Sequence, residues 1–487
     1  MTHVLVIGGG NAGFCAAHAA VQGGATATIL EKAPAGAAGG NSFYTAGAFR
    51  VVHGGVDAIL GVVDDDITRA RASLSELDPY PPAAFRDDME RLTEGRCDPQ
   101  LTGILIEDSE PIVAWLAELG IRWRLMYERQ AYERDGHYVF WGGLALGTVE
   151  GGKGLISQHT AAAEASGLEV VYGAAVTDLL LGADGGVTGA RLLDGSELEA
   201  DAVVLAAGGF EANAELRERH LGEGWGRALV RGNPLNTGEV LLAALDAGAA
   251  RHGDWSSCHS VAWDAGADEG GGDRELTNQY TRSGYPLGVM VNRDGRRFVD
   301  EGADYRNYTY ARYGRDILAQ PGGVAFQLFD AKTRPLLRGE EYDSERVTGA
   351  QADTLAELAA QLELDGAQLE ATVREFNAAV REGVPFDAAV KDGRAAAGIE
   401  PPKSNWAQAL DTPPYYGFTV TCGVTFTFGG VHIDEHARVL DSGGSPIPGL
   451  YAAGELVGGL FHGNYPGGTG LTAGAVFGRR AGAHAAG

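Results

Sequence analysis

The chain has 487 residues, 45% of them hydrophobic, so it is long enough to form more than one hydrophobic core. Its 38 Lys and Arg residues against 65 Asp and Glu residues give a net charge of −27, which argues against a nucleic-acid partner because phosphate neutralisation needs clustered cations. The first apolar run, HVLVIGG, follows no basic segment and is too short for a signal peptide or a membrane span, so we expect a cytoplasmic protein.

Residues 2–32 predict a strand, a glycine turn, an alanine-rich helix and a second strand that ends at Glu31. Gly8, Gly10 and Gly13 fit the pattern G-x-G-x-x-G at the turn. Glycines there let the backbone approach a pyrophosphate at the positive end of the helix, and the acid accepts hydrogen bonds from ribose hydroxyls. The unit predicts a dinucleotide site rather than a merely structural turn, but it does not distinguish FAD from NAD.

The next segment favours the longer cofactor. GGNSFYTAG at 39–47 places small and hydroxyl residues where a second cofactor half needs close backbone approach, although a plain glycine-rich loop has the same composition. From about Asp64 to Leu119 the spacing is helical and is interrupted by PYPP at 79–82. We therefore predict a helical insertion at about 60–125.

The middle of the chain predicts a β-meander. After a helix at about 155–166, the runs LEVVYGAAVTDLLL, GVTGARLLDG and LEADAVVLAAGGF are separated by turn residues, and the last run is expected to return to the first sheet at 203–206. Residues 353–380 predict two helices broken around Asp365, and the final sixty residues return to a strand, a glycine turn and a helix.

These elements together predict an α/β fold. A Rossmann-like FAD-binding domain with a β-meander is expected from 1–232 and 428–487, and an inserted α+β capping domain from 233–427. The inserted domain is expected to close over the cofactor as a lid.

The four cysteines lie far apart in the sequence and form no C-x-x-C pair, so we expect neither an iron–sulfur cluster nor a redox disulfide. No haem motif is present, and we predict no metal site. Electrons are therefore expected to pass to a separate acceptor, which is a protein, a quinone or a small molecule.

Several motifs along the chain carry a family resemblance. The glycine fingerprint, GGNSFYTAG, VVLAAGGFEAN at 203–213, VNRDGRRFVDE at 291–301 and AAGE at 452–455 resemble the succinate dehydrogenase and fumarate reductase flavoprotein family. Within it, RFVDEGADYRNYTY and FHGNYPGGTGLTAGAVFGR are most similar to tricarballylate dehydrogenases. The resemblance implies an FAD-dependent oxidoreductase that makes or reduces a C=C bond next to a carboxylate, by hydride transfer to or from flavin N5.

The resemblance also implies which residues bind FAD, from the ribose of ADP at Glu31 to the pyrimidine end of the flavin at the start of the last helix. That helix N-terminus would stabilise negative charge on the flavin. Asn41-Ser42-Phe43 contains no histidine, which members with covalent FAD carry in this segment, so the resemblance implies non-covalent FAD. The expected cofactor residues are Gly8, Gly10, Asn11, Ala12, Gly13, Glu31, Lys32, Gly40, Asn41, Ser42, Thr45, Ala46, Gly47, Val176, Ala207, Gly208, Glu455, Gly470 and Leu471.

For catalysis, the resemblance places Arg306 near the position of the family's proton-shuttle arginine. A guanidinium is a poor base because its pKa exceeds about 12, so Arg306 would act as a relay with Glu301 or Asp304, or would instead only anchor a carboxylate. Tyr465 is the other candidate for the base during oxidation. Two departures stand out: Thr425 and Phe426 occupy the positions of the family's substrate histidine segment, and Tyr465 replaces the arginine that clamps a carboxylate. A plain fumarate or succinate enzyme is therefore disfavoured.

Two alternatives follow from the tail. Tyr465-Pro466-Gly467 is similar to the tail of 3-ketosteroid dehydrogenases, where a tyrosine and a glycine N–H polarise a ketone, so a ketone-activated α,β-dehydrogenase is the second hypothesis. A nucleotide-binding protein with a structural cofactor is the third. We expect Arg282, Arg306 and His462 to give a cationic pocket, which favours a small carboxylate substrate.

Overall fold

A six-stranded sheet brings the two ends of the chain together in the computed structural model, which describes residues 1–381 and 383–487. Neighbouring strands pair in parallel, except for an antiparallel pair at one edge. The apolar run of the first strand is buried on both faces, as the inner strands of a parallel sheet require. In order across the sheet the strands are Arg438–Leu440, Pro446–Ala452, Ala202–Leu205, His3–Ile7, Thr26–Glu31 and Glu169–Tyr172.

The first and last long helices pack closely against each other. They are Asn11–Gln22 and Thr469–Ala485, and small residues lie where they touch. A Cβ at Gly478 would meet the carbonyl oxygen of Ala12 at 2.4 Å, and one at Gly482 would meet that of Ala16 at 1.9 Å. Only glycine permits this approach, which fixes the N-terminus of the last helix beside the first glycine turn.

The predicted meander is an antiparallel sheet of Val176–Leu181, Val187–Leu192 and Glu197–Glu199. One predicted run is in fact two strands, because the chain turns at Gly173, where φ is +74°, between Glu169–Tyr172 and Val176–Leu181. The return to the first sheet is confirmed, since Ala202–Leu205 pairs with His3–Ile7. The βαβ unit at the start of the chain is confirmed as well.

A second large sheet is formed mainly by the middle of the chain. Its longest strand, Tyr415–Val431, pairs with neighbours on both sides. The first strand of this sheet begins before residue 233 and the longest strand passes residue 427, so the sheet extends slightly beyond the predicted insertion. The other strands are Leu229–Val230, Arg251–Asp264, Val289–Asn292, Val324–Phe329 and Gly349–Ala352.

The region predicted as a helical insertion contains helices, and short strands that the sequence did not predict lie within it and on both sides of it. The strands form two small sheets, Ala48–Phe49 with Trp123–Leu125 and Leu146–Thr148, and Ser75–Glu76 with Ala131–Arg134 and His137–Phe140.

The remaining α-helices of the described residues are Gly40–Phe43, Val56–Leu60, Asp66–Arg71, Pro82–Leu92, Pro99–Glu118, Tyr127–Gln130, Gly151–Ser166, Ala214–Leu221, Glu239–Asp246, Arg306–Leu318, Gly339–Tyr342, Leu355–Gln361 and Gly366–Ala379.

The predicted break around Asp365 is confirmed, because the Asp365 carboxylate accepts hydrogen bonds from the N–H groups of Ala367 and Gln368 and caps a new helix. Among the helices of the described residues, none combines the length and the apolar character needed to cross a bilayer.

Candidate active site

A cavity of about 260 Å³ lies at the carboxyl ends of the parallel strands, where ligands of open α/β sheets bind. Both ends of the chain line it, together with residues of the second large sheet. Four lining side chains carry buried polar atoms with no hydrogen-bond partner among the described residues: Gln130 Oε1, His259 Nδ1 and Nε2, Asn278 Nδ2 and Asn307 Oδ1. Buried polar atoms normally have partners, so this group indicates a polar ligand.

Most of the predicted cofactor residues line this cavity. Two of the nineteen, Gly13 and Gly47, do not. A Cβ at Gly13 would meet the carbonyl oxygen of Gly8 at 1.9 Å, so this glycine serves the close packing of helix on strand. Gly47 has a φ of +71°, and a Cβ there would meet Thr148 Oγ1 at 2.1 Å, so it too is required by the backbone rather than by direct lining.

Glu31 is held at one end of the cavity by backbone donors. The N–H groups of Gly9 and Ala33 each donate to its carboxylate at 2.8 Å. Burial raises the pKa of Glu31, and these two hydrogen bonds offset part of that effect. Lys32 points toward Thr237 Oγ1 at 2.8 Å and Glu239 Oε1 at 3.1 Å. A carboxylate fixed in this way has lone pairs left for ribose hydroxyls.

The segment after the glycine turn is fixed by hydrogen bonds from distant residues. The N–H of Asn11 donates to Ser42 Oγ at 3.0 Å, and Asn11 Nδ2 donates to the carbonyl oxygen of Leu471 at 2.9 Å. Asn41 Nδ2 donates to Glu211 Oε1 at 2.5 Å. These contacts join the first helix, the 40–45 segment and the last helix around one space.

Two neighbouring carboxyl groups lie at the cavity, Glu455 in its lining and Glu211 behind the lining. Burial and the neighbouring charge of Glu455 raise the pKa of Glu211 well above its usual value, and burial raises that of Glu455 to about 7. The N–H of Thr427 donates to Glu455 Oε1 at 2.8 Å. The pair therefore carries less than two negative charges at neutral pH. The last helix begins beside it at Thr469, after the N-cap residue Gly468, and has no acidic residue in its first turn, so its N-terminus is free for an anionic group.

Aromatic rings surround the other end of the cavity. The hydroxyls of Tyr310 and Tyr465 lie 2.5 Å apart, and the ring centroid of His259 lies 4.8 Å from that of Tyr310. Tyr465 is 5% exposed, and burial together with Tyr310 raises its pKa well above the usual value. Its phenol is therefore a proton donor at neutral pH. Phe426 packs edge-on against Tyr465 at 5.1 Å between centroids.

Arg306 lines the same end, at the first position of its helix, one turn before Tyr310. Its Nη2 donates to the carbonyl oxygen of Arg129 at 2.7 Å, and its guanidinium lies 5.2 Å from the ring centre of Trp141. Burial, and then the charge of Arg338, lower the pKa of Arg306 to about 9. A buried arginine with this pKa exchanges a proton far more readily than an exposed one.

The predicted carboxylate partners of Arg306 are engaged elsewhere. Glu301 forms an ion pair with Arg297 at 2.5 Å, and Asp304 forms one with Arg91 at 2.6 Å. The carboxylate whose charge acts on Arg306 is Glu341, from the short helix Gly339–Tyr342.

Glu341 is enclosed by arginines. Its Oε1 lies 3.1 Å from Arg338 Nη1 and 3.3 Å from Arg129 Nη2. Although burial alone would raise its pKa, the charges of Arg338, Arg129 and Arg306 lower the pKa of Glu341 to about 2. It is therefore ionised at every physiological pH and cannot itself hold the proton, but it sets the charge balance around Arg306.

Two predicted catalytic residues do not line the cavity. Arg282 is 1% exposed, and its Nη2 lies 2.7 Å from Asp264 Oδ2, so its charge is neutralised inside the second large sheet. His462 turns to Asp254, with 3.4 Å between Nδ1 and Oδ2. The prediction of a cationic pocket from Arg282, Arg306 and His462 is therefore wrong for two of the three. Of the four predicted catalytic residues, Arg306 and Tyr465 line the cavity.

The structure adds a cation that no sequence motif indicated. Arg231 lines the cavity, with Nη1 donating to Thr425 Oγ1 at 2.9 Å and Nε to Thr281 Oγ1 at 3.2 Å. Burial lowers its pKa. Within residues 1–381 and 383–487, no carboxylate oxygen lies within 4.0 Å of the guanidinium nitrogens of Arg231 or Arg306. No local motif marked Arg231, because its partners are distant in sequence.

Comparison with known proteins identifies the fold and its chemistry. The sequence profile described as "FAD binding domain" matches residues 3–471. A probable fumarate reductase of Shewanella frigidimarina is 30% identical, over 100% of this chain and 75% of its own. A 3-oxosteroid 1-dehydrogenase of Mycobacterium tuberculosis is 31% identical, over 65% of this chain and 59% of its own. The open conformation of a flavocytochrome c3 fumarate reductase superposes with a TM-score of 0.74 at 28% identity, covering 100% of this chain and 78% of its own.

Proposed function

The chain belongs to the FAD-binding flavoprotein family that includes fumarate reductases, and we propose that it makes or reduces a C=C bond next to the carboxyl group of a small acid. Family membership establishes an FAD-dependent oxidoreductase that acts on CH–CH groups. The cavity fits FAD: its orphaned polar atoms, its two helix N-termini and the backbone-held Glu31 offer the donors and acceptors that a dinucleotide needs.

The proposal of a carboxylate substrate rests on two arginines, Arg231 and Arg306. Both side chains are partly buried and line the cavity, and neither guanidinium has a carboxylate within 4.0 Å among the described residues. Burying an uncompensated charge is costly, and a bound carboxylate would compensate it with charge-assisted hydrogen bonds. A neutral steroid would leave both cations without an anion.

Each residue then has a distinct task. FAD, when bound, supplies hydride acceptance or donation. Arg231 would hold the substrate carboxylate and stabilise the enolate-like charge that develops during reaction. Arg306 would give a proton to the carbon next to the carboxylate during reduction and take it during oxidation, while the charge of Glu341 keeps Arg306 mostly protonated. The ring of aromatic side chains would exclude water.

The finer substrate assignment rests on the tail motif and on charge. We propose a polycarboxylate such as tricarballylate, because the cavity presents two guanidinium groups without a carboxylate partner. Arg129 also lines the cavity, although Glu340 and Glu341 already pair with it. Thr425, Phe426 and Tyr465 occupy positions at which fumarate reductases carry substrate contacts, so succinate and fumarate should be poorer ligands.

A ketone-activated dehydrogenase is the second candidate, because of the hydroxyl pair of Tyr310 and Tyr465 at 2.5 Å. A phenol with a raised pKa is suited to donate a hydrogen bond to a ketone oxygen. The relative named a 3-oxosteroid 1-dehydrogenase supports this alternative. The two arginines that have no carboxylate partner among the described residues argue against it.

One anaerobic experiment separates the candidates. Oxidised enzyme is mixed with tricarballylate, succinate or a saturated 3-ketosteroid, and loss of the flavin absorbance is recorded. Photoreduced enzyme is then mixed with the unsaturated counterparts, and reoxidation is followed. Fast bleaching by a carboxylate supports the proposal, and bleaching by the steroid alone supports the second candidate. If no carboxylate reacts in either direction, the carboxylate proposal is wrong.

We further propose that FAD is held without a covalent bond, that residues 233–427 form a capping domain, and that a separate acceptor removes the electrons. The cavity-lining stretch at 40–48 contains neither histidine nor cysteine. His259, Arg306 and Tyr310 reach the cavity from the middle segment, as a cap over the cofactor requires.

A further inference from the structure

Three residues far apart in the sequence meet at the edge of the second large sheet, away from the cavity lining. They are Asp98, His252 and His432. Asp98 caps the helix Pro99–Glu118, His252 lies in the strand Arg251–Asp264, and His432 follows the strand Tyr415–Val431 directly. We propose that these three side chains bind one divalent transition-metal ion of the Zn²⁺ class.

The geometry of the donor atoms supports this proposal. His252 Nε2 lies 3.2 Å from Asp98 Oδ2, and the two imidazole rings stack with centroids 4.0 Å apart and an angle of 24° between their planes. One donor atom from each residue lies within 4.8 Å of the others, so the centre of the triangle is at most about 2.8 Å from each. Closing to a zinc bond of about 2.1 Å requires shifts below about 1 Å.

The surroundings fit a metal ion with an open coordination position. The side chains of His252 and Asp98 are 29% and 18% exposed, so water can reach the site and complete its coordination. Two imidazoles with one carboxylate form a donor set that suits Zn²⁺ and similar ions rather than Mg²⁺ or Ca²⁺. Asp98 Oδ1 is already fixed by the N–H groups of Gln100 and Leu101 at 2.9 Å, which orients Oδ2 toward the histidines.

A plain ion pair between Asp98 and His252 would account for their contact, and His432 would then only stack on the His252 ring without binding an ion. The ring of His432 is placed over that of His252, and its backbone is fixed by hydrogen bonds to Ala250 and Leu440. The role of His432 therefore distinguishes a metal site from an ion pair.

Metal binding at this place would join separate parts of the chain. The N–H of Asp98 donates to the carbonyl oxygen of Gly459 at 2.7 Å, and a Cβ at Gly459 would meet the His252 ring at 2.4 Å. The next two residues, Leu460 and Phe461, line the cavity. A bound ion would thus stabilise the connection between the helix Pro99–Glu118 and the loop that leads into the active site. The sequence predicted no metal because 154 residues separate Asp98 from His252.

The test uses tag-free holoprotein that has been treated with a chelator and then dialysed against Zn²⁺, with metal and protein measured after equilibration. The expected result is one Zn²⁺ ion per chain. Loss of a group that merely orients a metal ligand weakens metal binding about 10- to 100-fold, so loss of a direct ligand in His432→Ala should weaken it by at least about tenfold. Zn²⁺ should also raise the Tm of the wild type and not that of the variant.

Two further variants keep the test interpretable. Asp98→Asn retains an oxygen that can cap the helix but removes the charge, so it should remain folded and lose affinity for Zn²⁺. His436→Gln changes a nearby surface histidine outside the cluster and should bind as the wild type does. Flavin absorbance and circular dichroism verify folding. Absence of stoichiometric Zn²⁺ in the wild type, or unchanged binding in both His432→Ala and Asp98→Asn, would overturn the proposal.

Discussion

Replacing Arg306 with lysine tests whether this residue moves a proton or only anchors a carboxylate. The lowered pKa of about 9 means that about one molecule in a hundred carries a neutral Arg306 at pH 7. With its usual pKa above about 12 that fraction would be at least about a thousandfold smaller. The buried position therefore makes proton exchange practicable. A lysine side chain at this position would sit differently, because it lacks the Nη2 that donates to the carbonyl oxygen of Arg129.

The expected result is a large fall in turnover with FAD still bound. General acid catalysis contributes about 10²- to 10⁴-fold, so kcat for reduction of the unsaturated acid should fall by that factor, with KM changed much less. Arg231→Lys is the matched control: it alters the proposed anchor, so KM should rise more than kcat falls. Both variants are measured by anaerobic stopped flow with photoreduced enzyme.

The pH profile gives an independent readout. In reduction, the protonated form of Arg306 is the acid, so the rate should be constant at low pH and decline about tenfold per pH unit above about 9. In oxidation, the neutral form is the base, so the rate should rise with pH up to about 9. An Arg306→Lys variant with unchanged kcat, or a wild-type profile flat through pH 10 in both directions, would refute the relay.

Three other outcomes are expected. Glu341→Gln removes the anion that raises the pKa of Arg306, so the alkaline limb of the reduction profile should move to lower pH; an unmoved limb would separate Glu341 from the relay. Glu31→Ala should weaken FAD binding about 10- to 100-fold, whereas Glu107→Gln, an exposed change outside the cavity lining, should not, as flavin fluorescence after dialysis would report. Acid precipitation should release all yellow colour into the supernatant, and colour retained in the pellet would contradict non-covalent FAD.

The βαβ unit and the cofactor residues could be predicted from the sequence because their signals are local. A buried strand, a glycine turn and a helix follow one another within 31 residues, and the turn itself lines the cavity. The meander was predictable for the same reason. Its one error, the strand break at Gly173, came from reading one apolar run as one strand when the chain changes sheets at a glycine.

The substrate end was predicted less well because its residues meet only through tertiary pairing. Arg282 and His462 are of a suitable type, but Asp264 and Asp254 hold them outside the cavity lining. Glu341 and Arg231 belong to no recognisable motif. His259 reaches the cavity because its strand pairs with the long strand opposite Phe426, a register that spacing within either strand does not reveal.

The two departures from the fumarate reductase pattern are linked in the structure through Arg231. At the tail, Tyr465 replaces the arginine that clamps a carboxylate in the resembled enzymes, so one cation is lost. Thr425, at a position of the lost histidine segment, accepts a hydrogen bond from Arg231 at 2.9 Å and holds that guanidinium at the cavity. In the proposed mechanism, Arg231 would supply a cation from just beyond the strand Leu229–Val230, and so from a different direction than a tail arginine. Such a clamp would retain the positive charge and change the shape of the acid that the site accepts.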